Sequence, residues 1–159
     1  MTLLTINQLM TLLKGFATDH PQLDDFGYGP TYDIGTSRQM RPAYMWVTHE
    51  IDSTVQVINQ TTVPTLNLTF LFVDKINDQE NYLDENGYPS NNTQEVISDM
   101  YTVTLDFIGF VQSNLTPYGI SIADDIVSQF VINDETDDKV AGWGVRIPFK
   151  IKYQNSIFC

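Results

Sequence analysis

The chain has 159 residues, 42% of them hydrophobic, and its twenty acidic and eight basic side chains give a net charge of −12. That length suits one domain, spanning residues 1–159, with a substantial core, and is short for two. No apolar run approaches the roughly 18 residues of a membrane-spanning helix, and the clustered Lys and Arg that neutralise nucleic-acid phosphates are missing.

Met1-Thr2-Leu3-Leu4 has neither a basic region nor a small-residue cleavage site, which argues against secretion. The first predicted element is a helix. Thr5 and Gln8 have capping-box spacing, and Ile6, Leu9, Leu12, Leu13 and Phe16 recur at intervals of three and four. His20-Pro21 ends it, because the residue before a proline is pushed out of helical space. A loop follows, Asp24-Asp25-Phe26-Gly27-Tyr28-Gly29-Pro30, continuing to Gly35. Its glycines match neither a dinucleotide fingerprint nor a P-loop, so they are assigned to turns.

Arg41-Pro42 leads into a strand at Ala43–Thr48, a turn at Glu50–Ser53 and a second strand from Thr54 to about Asn59. After Pro64, Thr65–Asp74 reads as a third strand, with Leu66, Leu68, Phe70 and Phe72 on one face and Asn67, Thr69, Leu71 and Val73 on the other. Short connections between these runs predict an antiparallel meander. Asp74–Asn92 is then a long acidic loop with Tyr82, Leu83 and Tyr88 as apolar islands. A structureless loop of that length is usually functional or disordered.

A second, long helix is predicted from Asn92 or Thr93 to about Gln112, with Val96, Ile97, Met100, Tyr101, Phe107, Ile108 and Val111 on one stripe. Its middle, Thr102-Val103-Thr104, is β-branched and weakens the helical propensity. Asn114–Gly119 turn the chain, Ile120–Asp125 reads as a short strand or a turn, and Ile126–Ile132 as a strand. An acidic turn at 133–139 opens the last strand, Val140–Tyr153. There Trp143, Val145, Ile147, Phe149, Ile151 and Tyr153 face one way, and Gly144, Arg146, Pro148, Lys150 and Lys152 the other. Burying one such large apolar side chain contributes about 1.5–3 kcal/mol, so this face anchors a core. Pro148 donates no ladder hydrogen bond, which predicts an edge strand or a bulge. The one cysteine, Cys159, leaves no internal disulfide and fits a reducing cytoplasm.

Chemistry is sparse. His20 and His49 are the only histidines, and both are expected on the surface. His49-Glu50 fails the HExxH zinc pattern because residue 53 is Ser. The carboxylates of 74–92 and 134–138 fail the calcium-loop spacing, since glycine falls at the wrong place or is absent. A solvated loop is the expectation for both, with no metal, no cofactor and no catalytic residue. Tyr28, Tyr44, Trp46 and Trp143 either line a sugar or peptide groove or belong to the core. The acidic surplus has two readings: solubility, or a surface that repels DNA sliding past it.

The order of elements, with Arg41-Pro42-Ala43-Tyr44-Met45-Trp46-Val47, Ser98-Asp99, Asp138-Lys139-Val140-Ala141-Gly142-Trp143 and the terminal Cys159, resembles the tail-terminator and neck-ring (head–tail connector) proteins of tailed bacteriophages, in the crAss-like versions. The resemblance implies an α+β fold, with an antiparallel sheet under an N-terminal helix and a long central helix. It implies copies assembled head-to-tail into a closed ring in the virion, twelve or alternatively six, coaxial with portal, adjacent neck ring or tail proteins. Genome DNA passes through such a ring without sequence-specific binding, and neither catalysis nor a membrane is involved. The long loop departs from the pattern. On this reading Tyr82, Leu83 and Tyr88 anchor the loop on a neighbour, and Arg38, Arg41, Arg146, Lys150 and Lys152 pair with the neighbour's carboxylates. The competing expectation is a small cytoplasmic carbohydrate- or protein-binding domain.

Overall fold

Apolar residues stand on both faces of the chain from Leu66 to Val73, and a strand of that kind needs cover on both sides and a neighbour along each edge. A computed structural model, which describes residues 5–30, 43–48, 50–59, 61–76, 92–133 and 140–152, puts this strand at the centre of the sheet. In chain order the elements are helix α1 (Ile6–Asp19), strands β1 (Asp25–Gly29), β2 (Tyr44–Thr48), β3 (Asp52–Ile58) and β4 (Thr61–Lys75), helix α2 (Thr93–Leu115), and strands β5 (Ile120–Ile122), β6 (Ser128–Asn133) and β7 (Val140–Ile151). The fold is α+β: a mixed seven-stranded sheet with both helices packed on one face.

The meander expected from the short connections is not what forms. β4 and β7, with 15 and 12 residues, pair along eleven positions from Thr65↔Lys150 to Lys75↔Val140. Their neighbours are too short to cover them, so each outer edge takes two strands end to end. Beside β4, β2 pairs with Phe70–Val73 and β3 with Thr61–Asn67. Beside β7, β6 pairs with Ala141–Arg146 and β5 with Phe149–Ile151. β2 therefore adjoins β4 and not β3. All pairings are antiparallel except that of β1 with β2.

That exception corrects the sequence reading, which placed 25–29 in a loop. Gly27 and Gly29 are buried in a strand, opposite Trp46 and Thr48, and the Trp46 indole N–H donates to the Gly29 carbonyl at 3.1 Å. Glycine in a strand here marks close packing beside a large side chain, not a turn.

Both strand prolines are also explained by the end-to-end arrangement. Pro64, expected to precede β4, lies inside it, opposite Val55 and one residue beyond the β4–β7 ladder. There β4 has, among the described strands, β3 as its one partner. Pro148 sits not on an edge strand but in a central one. It pairs with Asn67 of β4, while on its other side it falls in the gap between Arg146, the last residue paired with β6, and Phe149, the first paired with β5.

The main core lies between the helices and the sheet. α1 begins with the expected capping box: the Gln8 N–H donates to Thr5 Oγ1 at 3.2 Å, and the Thr5 N–H to Gln8 Oε1 at 2.8 Å. It buries Leu9, Leu13, Phe16 and Ala17. α2 runs to Leu115, three residues past the expected end, and buries Val96, Met100, Val103, Thr104, Phe107 and Val111. Its β-branched centre is held helical by burial, and Thr104 is a junction: Oγ1 donates to the Tyr101 carbonyl at 2.6 Å and accepts from Gln129 Nε2 at 2.9 Å. Tyr101, expected on the buried stripe, is exposed. The helix-facing side chains of the sheet are the ones the alternation predicted, among them Leu68, Phe70, Phe72, Val145, Ile147 and Phe149. A second, smaller cluster on the opposite face joins Tyr44, Trp46, Leu71, Val73, Ile132 and Val140.

His20 is not the surface residue expected. Its side chain is only 9% exposed, packed at 5.1 Å from the Phe16 ring. Nδ1 accepts from the Gln22 N–H at 3.2 Å, and Nε2 lies 3.1 Å from an Asp106 carboxylate oxygen on α2. The residue therefore joins the end of α1 to α2. Asp106 is largely in solvent, which discounts the ionic part of the contact. His20→Ala is expected to lower the unfolding free energy by about 1 kcal/mol, read as an earlier urea midpoint at unchanged slope.

Candidate assembly surface

β3 is the one strand that contributes to neither buried cluster, and all seven of its residues are exposed. With the first part of β4 it forms an arm closed by a turn at Asn59, where φ is +47°. Alternation fixes what each face of the arm carries. Ser53, Val55 and Val57 share the helix side of the sheet with Leu66, while Asp52, Thr54, Gln56 and Ile58 share the other side with Asn67. The Asn67 amide donates to the Asp52 carboxylate and holds the base of the arm. Val55, Val57 and Ile58 are 56%, 71% and 50% exposed. Edge strands are normally blunted by lysine, proline or a bulge, and β3 itself contains neither residue type.

The opposite margin of the sheet is also open among the described strands. β6 pairs with β7 alone among the described strands, and it exposes Phe130 and Val131. Phe130 lies over Gly144 on the side away from the helices, with the Arg146 guanidinium 5.9 Å from the ring centre. On the helix side, Val131 is opposite Trp143, whose ring stacks at 5.1 Å on Tyr101 of α2. Tyr101 and, one turn later, Leu105 are both exposed, and together with Val131 they make an apolar strip between α2 and β6.

Of the cations expected from the sequence to pair across an interface, Arg146 and Lys150 lie on the face of β7 away from the helices, and Lys152 follows just past the end of the strand. All three are exposed, and no carboxylate among the described residues lies within ion-pair distance of them. Tyr82, Leu83, Tyr88, Arg38 and Arg41 lie outside the described residues, as do His49 and most of the 74–92 loop. Of the aromatic residues considered for a groove, Tyr44 and Trp46 are buried in the second cluster, and Trp143 is half-buried with its indole N–H on the Ile97 carbonyl at 2.9 Å. Only Tyr28 is exposed. They do not line a common groove.

The arm was not legible from its residues. Thr54-Val55-Gln56-Val57 has the alternation of a half-buried strand, and nothing local says that its apolar side meets no helix. Among the described residues no three His, Cys, Asp or Glu side chains are grouped to hold a metal ion, and no helix is long and apolar enough to cross a membrane. Neither a family model nor a curated protein sequence matches this chain.

Proposed function

We propose that this protein is a structural subunit of a tailed-phage neck or tail, which assembles with copies of itself into a ring through which genome DNA passes. The observation that carries the reading is the β3–β4 arm: an unblunted edge strand with Val55, Val57 and Ile58 in solvent has a use when another chain covers it. The cations Arg146, Lys150 and Lys152, without an ion-pair partner among the described residues in a chain with a net charge of −12, support it. Contacts between like-charged copies need local complementarity, and these cations supply one half of it. The fold also agrees with what the resemblance implies, helices on one face of a largely antiparallel sheet. In this reading the acidic surplus lies partly on the channel wall, where it repels passing phosphates. Three of the four aromatic residues considered for a groove, Tyr44, Trp46 and Trp143, are core or half-core, which disfavours the carbohydrate-binding alternative.

Imaging of intact virions tests the proposal. The expected result is this chain in a closed ring at the neck or tail. Its absence from the particle, or its presence as isolated copies on the capsid, would overturn the reading. A companion prediction concerns the arm. Val55→Asp with Val57→Asp is expected to change the unfolding free energy of the monomer by no more than about 0.5 kcal/mol per site, because both side chains are already wet. The same pair of substitutions is expected to abolish the ring.

A further inference from the structure

We infer that successive copies join edge to edge, with β3 of one copy adding to β6 of the next, so that one sheet continues into another. The inference rests on the assembly reading above and names its contact. β3 flanks β4 and β6 flanks β7, so the two strands stand on opposite margins of the same sheet. Neither has a further described strand outside it, and their lengths match, seven residues and six. Each therefore presents a row of backbone donors and acceptors that a partner strand satisfies. Because the two margins differ, the contact is head-to-tail and can propagate around a ring.

A second copy is the occupant that matches on both faces at once. A sheet that continues across a junction keeps its helix side on one side. There the arm brings Val55 and Val57, and the neighbour offers Val131, Tyr101 and Leu105, all exposed in the single chain. On the other side the arm brings Ile58, and the neighbour offers Phe130. Apolar meets apolar on each face. The two margins also differ in sign: residues 50–59 contain Glu50 and Asp52 and no Lys or Arg, whereas β7 beside the receiving strand carries Arg146, opposite Ser128.

Disulfide trapping tests this on the full chain with Cys159→Ser, both in solution and in assembled particles. Val55→Cys combined with Val131→Cys is expected to give a ladder of cross-linked multimers under mild oxidation. Val55→Cys alone, and Val55→Cys combined with Ile6→Cys on the exposed start of α1, are expected to give none. All these positions are at least 44% exposed, so the variants are expected to fold. Equal cross-linking by Val55→Cys alone would mean arm against arm and would overturn the inference. A ring that forms without a ladder from either Val55→Cys or Val57→Cys paired with Val131→Cys, all three on the helix side, would also overturn it, leaving the assembly reading intact. A chain monomeric in solution and absent from particles would remove the assembly reading itself.

Discussion

Phe107→Ala is expected to be the most damaging single truncation in the described core, costing about 4 kcal/mol of unfolding free energy. Phe107 is fully buried at the centre of α2 and touches three other rings: Phe16 of α1 at 5.2 Å, Phe70 of β4 at 4.8 Å and Phe72 of β4 at 5.1 Å. Tilted and edge-on contacts of this kind add about 0.5–1.5 kcal/mol to a pair beyond its buried area. The truncation therefore removes apolar burial, leaves a cavity among rigid rings and breaks the contact between both helices and the sheet. A loss of that size is a large share of the roughly 5–15 kcal/mol that holds a domain folded. Phe110→Ala provides the comparison. Its ring is half-buried and meets Phe16 at 5.3 Å from the outer side of α2, and its loss is expected to cost about 2 kcal/mol. Urea denaturation with unchanged slope reads both. Equal costs would place the centre of the core elsewhere.

How far the fold was legible follows from which residues had a single physical reading. The apolar side of β7 admits one interpretation, and Val145, Ile147 and Phe149 are fully buried under the helices. The capping box at Thr5 was equally plain, as were Leu9, Leu13 and Phe16 of the α1 stripe, because both signals are local, whereas Ile6 of that stripe is exposed at the start of the helix. Sheet order was not local. Nothing in the β2 sequence says that it pairs with Phe70–Val73 while β3 takes Thr61–Asn67, since that division depends on β4 being longer than either. The glycines of β1 carry the signature of a turn, and the parallel pairing with β2 that makes a strand of the segment is not contained in it. Proline misled in a similar way. Pro64 and Pro148 stand inside strands because partner strands end beside them, a fact of pairing that no single segment contains.

The candidate surface divides along the same line. Arg146 and Lys150 were legible because alternation alone puts them on the face away from the core, and the structure leaves them there unpaired among the described residues, whereas Lys152, expected in the same strand, lies past its end at Ile151. The arm was legible as a strand but not as an arm. Val55 and Val57 carry the pattern of a buried face, and their exposure follows from β3 reaching past the part of the sheet that the helices cover. An apolar pattern that the fold fails to bury points to a second chain. That is why the assembly reading rests on β3 more than on the charges.

The second large effect is expected at Gly142. β7 carries two glycines on the face away from the helices, opposite Val73 and Leu71 of β4, and the two have different reasons to be glycine. A Cβ on Gly144 would run into the Phe130 ring, a partly exposed side chain at the sheet margin that can swing aside. A Cβ on Gly142 would run into the backbone carbonyl of Phe72, in the middle of the central strand pair. Backbone cannot swing aside there: Phe72 is fully buried and is paired on both sides, with Met45 and with Trp143. Gly142→Ala must therefore push β7 off β4, disturbing the packing of Val140 and Ile132 on one face and of Phe72 on the other. The expected cost is about 3 kcal/mol, at the upper end of overpacking effects. Gly144→Ala is expected to cost about 1 kcal/mol, with the change confined to Phe130 and Arg146. Amide hydrogen exchange separates the two. Gly142→Ala is expected to lower protection along both β4 and β7, and Gly144→Ala along β6 alone. Equal stability of the two variants would show that β4 and β7 are not held as closely at Gly142 as this pairing requires.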